Sequence, residues 1–107
     1  MELTGGSRAR LDVSTGTGGS LMVELAGELD LASLPDVAAP LDGLLARRPQ
    51  PVVLELTDLT FLDSSGVAVL VRIANHFQQV RTRSATEPVR RVIEVLGLAG
   101  RFGLDGA

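Results

Sequence analysis

Two short motifs carry the residues with which this chain could do chemistry. One is G-E-L-D at residues 27–30, and the other is D-S-S-G at residues 63–66. Each motif stands between a predicted strand and a predicted helix, and sites in sheets with parallel strands collect at the carboxyl ends of those strands. If the two strands are neighbours, Asp30 and Asp63 lie close to Ser64. The sequence then predicts a hydroxyl at a helix N-terminus, flanked by two carboxylates.

The same residues also allow plainer interpretations. In D-S-S-G, Asp63 or Ser64 could simply cap the following helix, with Gly66 easing the turn. Glu28, Asp30 and Asp63 could in principle hold Mg²⁺, but carboxylates near a strand end are commonly solvated or capping groups. We therefore predict no metal site and no cofactor.

A serine hydrolase is excluded by the residues around Ser64. A nucleophile elbow needs a glycine two residues before the serine, and Leu62 stands there. His76, the only histidine, follows Ser64 by twelve residues on the same predicted helix, roughly 18 Å along its axis. Because no second histidine can act as the base, a hydrolase is rejected. A small enzyme with an acidic metal site has little support in the sequence, so the chain is predicted not to be an enzyme.

Composition narrows the class of protein further. The chain has 107 residues, enough for one domain, and a net charge of −3 from 10 basic and 13 acidic residues. All ten basic residues are Arg, which removes lysine-dependent phosphate loops and Schiff-base chemistry. The acidic balance argues against direct nucleic-acid binding. With no cysteine and no long apolar run, we expect a cytoplasmic protein without disulfides or a membrane span.

Hydrophobic periodicity predicts the elements that position the first motif. Alternating residues on both sides of the glycine-rich stretch 15–20 indicate a β-hairpin, whose second strand leads into G-E-L-D. A helix should begin at an N-cap, Ser33, be kinked or broken at Pro40, and stop at residues 47–51. Its core-facing stripe is Val37, Leu41, Leu44 and Leu45.

The rest of the chain continues to alternate strands and helices. Residues 52–56 indicate a strand covered on both faces, a second helix follows D-S-S-G, and residues 80–85 form an edge strand at best. A third helix opens at residues 86–88 and ends at Gly97. The predicted core stripes are Val67, Leu70, Val71, Ala74 and Phe77 in the second helix, and Val89, Val92, Ile93 and Leu96 in the third. The order β-β-α-β-α-β-α predicts an α/β fold, with a mixed sheet and packed helices.

Taken together, the motifs and their spacing resemble the STAS domain of bacterial anti-sigma factor antagonists. The residues that carry the resemblance are Gly27–Ala32, Val53–Leu56 and Leu59–Leu70, and the segment from Pro88 to Leu98 is similar to the last helix of the family. The resemblance covers about residues 9–103. It implies a STAS-like fold, with a single STAS domain over residues 9–107. The small and polar residues at the start of the chain predict a flexible N-terminus over residues 1–8.

The resemblance also implies a function. Ser64 would be the phosphoacceptor, and Asp30, Asp63, Ser65 and Gly66 would belong to the partner-binding site because they match motif positions. Unphosphorylated, the protein would bind a partner that is both anti-sigma factor and serine kinase, which frees a sigma factor. Phosphorylation by that partner would release it, and a serine phosphatase would reset the switch.

A second function stays open. The chain could be a STAS interaction module that is never phosphorylated, within a larger regulatory or transport assembly. The sequence also departs from the family pattern at residues 76–84, which are shorter and more polar than the usual turn and fourth strand. This segment is expected to influence partner choice near the end of the second helix.

Overall fold

One mixed β-sheet with three helices forms the part of the chain that the computed structural model describes, residues 8–104. The strands are β1 (Ala9–Thr15), β2 (Leu21–Leu29), β3 (Val52–Leu56), β4 (Leu59–Leu62) and β5 (Val80–Ala85). The helices are α1 (Leu34–Leu45), α2 (Ser64–Phe77) and α3 (Glu87–Val95). The predicted fold class is confirmed. Most of the proposed flexible segment 1–8 lies outside the described residues, as does the end of the chain after Leu104.

The sheet contains one strand that the sequence analysis did not assign. β1 pairs antiparallel with β2 as the predicted hairpin, β3 runs parallel to the first half of β2, and β5 lies beyond β3 at the edge. β4 runs parallel to the end of β2, from Gly27 to Leu29, with a register shift between Gly27 and Glu28. The order is therefore β-β-α-β-β-α-β-α, and D-S-S-G follows β4 rather than β3.

The helices bury most of their predicted stripes. In α1, Val37, Leu41 and Leu44 are buried and Leu45 is half-buried. Pro40 was expected to kink or break this helix, but α1 runs through it without interruption. Proline removes one N–H donor, so at this position only the carbonyl of Asp36 loses its helical hydrogen bond.

The buried faces of α2 and α3 differ in part from the prediction. In α2, Leu70, Ala74 and Phe77 are buried as expected, whereas Val67 and Val71 are half-buried. The missed core residues of this helix are Val69 and Ile73. In α3, Val89 and Ile93 are buried and Val92 is half-buried. The placement of Leu96 in the core is wrong, because 53% of its surface is exposed.

β5 is an edge strand, as its alternating arginines predicted. Arg81 and Arg83 are exposed, and the chain that follows α3 packs alongside the strand. The Thr82 hydroxyl donates a hydrogen bond to the carbonyl oxygen of Phe102 at 2.7 Å, and the Phe102 side chain is buried. The short polar segment before α3 is therefore a strand of the sheet, held in place by the end of the described chain.

Candidate functional site

The two motifs lie side by side at the carboxyl ends of β2 and β4. Leu29 is the register partner of Leu62, and the backbone N–H of Asp63 donates a hydrogen bond to the carbonyl oxygen of Leu29 at 3.3 Å. The condition on which the sequence argument depended, that the two strands are neighbours, is met. The strand that meets this condition is β4, the one that the periodicity missed.

Asp63 connects the two motifs through its side chain. Oδ1 accepts a hydrogen bond from the backbone N–H of Gly66 at 3.0 Å, which caps α2, and Oδ2 accepts one from the backbone N–H of Leu31 at 3.2 Å. The hydrogen bond from Gly66 is the main reason why the pKa of Asp63 is lowered, with smaller contributions from Leu31 and Ser65 against the opposing effect of desolvation. The carboxylate is thus held ionised at the start of α2.

Gly66 is the point of closest approach between α2 and the sheet. A Cβ atom at this position would lie 2.3 Å from the carbonyl oxygen of Leu29 and 2.6 Å from Cδ1 of Leu62. The Leu62 methyl could rotate away, but the Leu29 oxygen is backbone and cannot, so glycine is required by space and not by an unusual backbone angle. Gly66 is buried and lets the first turn of α2 rest directly on the end of β2.

Asp30 caps a short 3-10 turn, Leu31–Ser33, that leads into α1. Its Oδ1 accepts a hydrogen bond from the backbone N–H of Ser33 at 3.0 Å. The fully buried Ser33 hydroxyl accepts from the N–H of Asp30 at 3.0 Å and donates to its carbonyl oxygen at 3.1 Å. Ser33 is the N-cap residue of α1, as predicted, but its hydroxyl makes no capping hydrogen bond to α1 because it is used in this reciprocal arrangement with Asp30.

Arg8 completes the acidic side of the site. Its guanidinium donates to Oδ2 of Asp30 at 2.9 Å and also pairs with Glu28. Its backbone N–H donates to a carboxylate oxygen of Asp36 at 2.8 Å. Within residues 8–104, no group of three or more acidic, histidine or cysteine side chains is arranged to hold a metal ion. Two of the three carboxylates considered for Mg²⁺ have an arginine as their partner instead.

Ser64 remains as the accessible group of the D-S-S-G motif. It is the first residue of α2 and is exposed, whereas Ser65 is half-buried. His76 lies in the last turn of the same helix, where its Nε2 is 2.6 Å from the carbonyl oxygen of Arg47. This histidine therefore does not act as a base for Ser64, which is consistent with the exclusion of a hydrolase.

Two surface grooves flank the start of α2, and the sequence analysis anticipated neither. The larger, about 400 Å³, lies between the start of α2 and α3. Its lining residues are Leu62, Asp63, Ser64, Val67, Arg91, Val92, Val95 and Leu96. The smaller, about 280 Å³, lies between α2 and α1 and includes Ser65 and Arg72.

Apolar side chains stand exposed around this end of the molecule. Leu31, whose backbone N–H donates to the Asp63 carboxylate, is 70% exposed, and Val95 in the larger groove is 79% exposed. The sequence contained one indication of this groove, the apolar pair Val95-Leu96 at the end of α3. These two residues follow the buried residues Val89 and Ile93 but are themselves exposed. In the described part of the chain, no helix is long and apolar enough to cross a membrane.

Comparison with known proteins identifies the class to which this fold and site belong. The family profile described as "Mlab, STAS domain" matches residues 7–104, which is most of the chain. An anti-sigma F factor antagonist from Paenibacillus polymyxa is 33% identical over 85 residues, spanning 75% of this chain and 73% of the relative. The chain therefore belongs to the STAS domain family, and within it to the anti-sigma factor antagonists.

Solved structures support the fold. An anti-sigma factor antagonist from Mycobacterium paratuberculosis superposes with a TM-score of 0.78 at 22% identity, covering 98% of this chain and 92% of that one. The Bacillus cell fate determinant SpoIIAA in its phosphorylated form superposes with a TM-score of 0.59 at 19% identity, covering 87% and 88% of the two chains. At these identities the structures establish the fold alone. The class is one of non-enzymatic regulators, as the sequence analysis predicted.

Proposed function

We propose that this chain is a phosphorylation-controlled anti-sigma factor antagonist that works in the cytoplasm. Unphosphorylated, it binds an anti-sigma factor that is also a serine kinase, and so frees a sigma factor. Phosphorylation of Ser64 by that kinase ends the interaction, and a serine phosphatase restores it. The observation that carries the proposal is an exposed hydroxyl, that of Ser64, at the first position of α2 and at the rim of an apolar groove.

Accessibility favours Ser64 over its neighbours as the phosphoacceptor. A kinase must bring the γ-phosphate of ATP into line with the attacking hydroxyl, which requires open space around it. Ser64 is exposed, Ser65 is half-buried against the smaller groove, and Ser33 is fully buried and hydrogen-bonded. The difference in exposure predicts that phosphate goes to the first serine of the motif.

The negative charge beside Ser64 suits a site at which phosphorylation lowers the affinity for a partner. A phosphate adds about −1.5 to −2 charges at neutral pH. On Ser64 it would stand next to the ionised Asp63, whose carboxylate is already committed to two backbone N–H groups. In a close-fitting interface this added charge must be desolvated, and each ~1.4 kcal/mol of lost binding energy lowers affinity tenfold. A loss of about two to three decades in affinity is the expected size of the switch.

The other motif residues are proposed to support the same surface in different ways. Ser65 lines the smaller groove and Asp30 is partly accessible, and this exposure supports the proposal that both contact the partner. Asp63 caps α2 and fixes the loop at Leu31. Gly66 is buried, so we infer that it acts by seating α2 on β2 and not by direct contact.

Phosphate incorporation is the test of this function. The anti-sigma factor that co-purifies with the tagged chain would be isolated and incubated with the chain and ATP, and the product mapped by mass spectrometry. Ser64→Ala should abolish incorporation but retain partner binding, and the matched variant Ser65→Ala should keep most of the incorporation. Phosphate that maps to Ser65 would overturn the assignment. Stable binding with no incorporation into the unmodified chain would favour the alternative, a STAS module that is never phosphorylated.

A further inference from the structure

The larger groove has the proposed phosphoacceptor on one wall and an arginine on the other. Ser64 and Val67 belong to the wall formed by the start of α2, and Arg91 and Val95 belong to the wall formed by α3. Arg91 is the basic residue among the described residues that line this groove. The remaining lining is apolar apart from Asp63.

Arg91 is weakly held in the unphosphorylated protein. Its side chain is 73% exposed, and its guanidinium lies 3.8 Å from a carboxylate oxygen of Glu87, one helical turn earlier. An exposed pair of this kind contributes little, because water screens it and both side chains lose freedom. Arg8, by contrast, is shared between Glu28 and Asp30. Arg91 is therefore the guanidinium in the groove of Ser64 that can move at little cost.

A phosphate on Ser64 would need positive charge close by. The charged residues that line the groove with Ser64 are Asp63, on the loop before α2, and Arg91 on α3, which is paired with Glu87. At the end of β2, Asp30 and Glu28 already share Arg8. Arg91 is therefore the arginine that is left for the phosphate. Arginine also presents a planar set of donors that matches phosphate oxygens in pairs, which strengthens such a contact.

We propose that Arg91 turns from Glu87 to bind the phosphate on Ser64, and that the resulting bridge between α2 and α3 covers the apolar groove. This inference rests on the proposed function, since it takes Ser64 as the phosphorylated residue. Phosphorylation then acts twice on the same surface. It adds charge at the start of α2, and it withdraws the groove lined by Val92, Val95 and Leu96 from a partner.

The test needs no kinase and no partner. Phosphoserine is incorporated at position 64 by an expanded genetic code, in the otherwise unmodified full chain and in two variants. Arg91→Gln removes the proposed phosphate ligand. Arg90→Gln, the matched control, removes the same charge from the neighbouring position, where the side chain is 27% exposed and pairs with Glu94 at 3.7 Å. The second pKa of the phosphate is then measured by phosphorus NMR, alongside methyl spectra of the groove residues.

A bound guanidinium favours the dianion, so it lowers the second pKa of the phosphate below its ordinary value of about 6. Arg91→Gln should raise this pKa by about half a unit to one unit, and Arg90→Gln should leave it nearly unchanged. The methyl signals of Val92, Val95 and Leu96 should move on phosphorylation only where Arg91 is present. Equal pKa values in the three proteins, or methyl shifts that survive Arg91→Gln, would overturn the bridge. A kinase that leaves Ser64 unmodified would instead overturn the proposed function.

Discussion

The contact beneath Gly66 gives the sharpest test of how the site is built. Replacing Gly66 with alanine adds a single methyl group 2.3 Å from the carbonyl oxygen of Leu29 and 2.6 Å from Cδ1 of Leu62. The Leu62 methyl belongs to a side chain that can rotate. The Leu29 oxygen is backbone at the end of β2, and it also accepts the N–H of Asp63. Relief of the clash must therefore shift α2 away from the sheet or disturb this hydrogen bond.

The size of the effect follows from two opposing contributions. Overpacking a well-packed core by a methyl group costs about 1–3 kcal/mol, and the upper part of that range applies because one of the two contacts is backbone. Alanine is favoured over glycine within a helix by about 1 kcal/mol, which offsets part of this cost. Gly66→Ala should therefore lower the free energy of unfolding by about 2 kcal/mol.

Gly43 offers a matched control within the same chain. It lies in α1, it is exposed, and a Cβ atom there would meet no other atom within 4 Å. Gly43→Ala therefore gains helix propensity without overpacking and should raise the free energy of unfolding by about 0.5–1 kcal/mol. The same chemical change is thus expected to have opposite signs in two helices.

Equilibrium unfolding in guanidinium chloride, followed by circular dichroism, measures both variants against the unmodified chain. Thermal unfolding should agree, because 1 kcal/mol moves the midpoint of a domain of this size by about 4–8 °C. If Gly66→Ala is as stable as the unmodified chain while Gly43→Ala is stabilised, α2 does not rest on β2 as closely as described. The argument that glycine is required at position 66 would then fail.

Two further predictions concern the carboxylates of the site. Because the pKa of Asp63 is lowered on folding, its contribution to stability is present above about pH 4 and is lost as the pH falls through the folded-state value. In denaturant titrations, the stability lost by Asp63→Asn should therefore be larger at neutral pH than in acid, and an equal loss at both would contradict this. Asp30→Ala should cost about 1 kcal/mol by removing the cap on Ser33, whereas Asp30→Asn should keep that cap. Asp30→Asn is then the variant to use in calorimetric titrations with the anti-sigma factor, and an unchanged affinity would remove the Asp30 charge from the interface.

The juxtaposition of the two motifs could be predicted because it depends on local patterns. A glycine-rich hairpin, a strand, and a polar motif before a helical stripe each leave a clear signal in the sequence, and parallel strands bring their carboxyl ends together. The cap on α2 could also be anticipated, although Asp63 and Ser64 were equal candidates. The structure assigns it to Asp63, whose Oδ1 accepts the N–H of Gly66.

Features that depend on long-range contacts could not be predicted. β4 has four residues and follows β3 after only two, Thr57 and Asp58, so no glycine or proline marks the boundary. Its strand character arises from pairing with β2. Arg8 was predicted to belong to a flexible terminus, yet its guanidinium forms ion pairs with Glu28 and Asp30 at the end of β2. The groove beside Ser64 depends on where α3 lies, which no local pattern specifies.

The structural and functional interpretations of D-S-S-G are therefore not alternatives. Asp63 takes the capping role, and Gly66 allows the helix to rest on the strand beside it. Because these two residues satisfy the needs of the fold, Ser64 is left exposed at the first helical position. If Ser64 supplied the cap instead, its hydroxyl would be turned into the helix and held there by a hydrogen bond. A motif that uses a carboxylate for the cap keeps its hydroxyl accessible, so the phosphorylation that we propose at Ser64 would leave the cap of α2 in place.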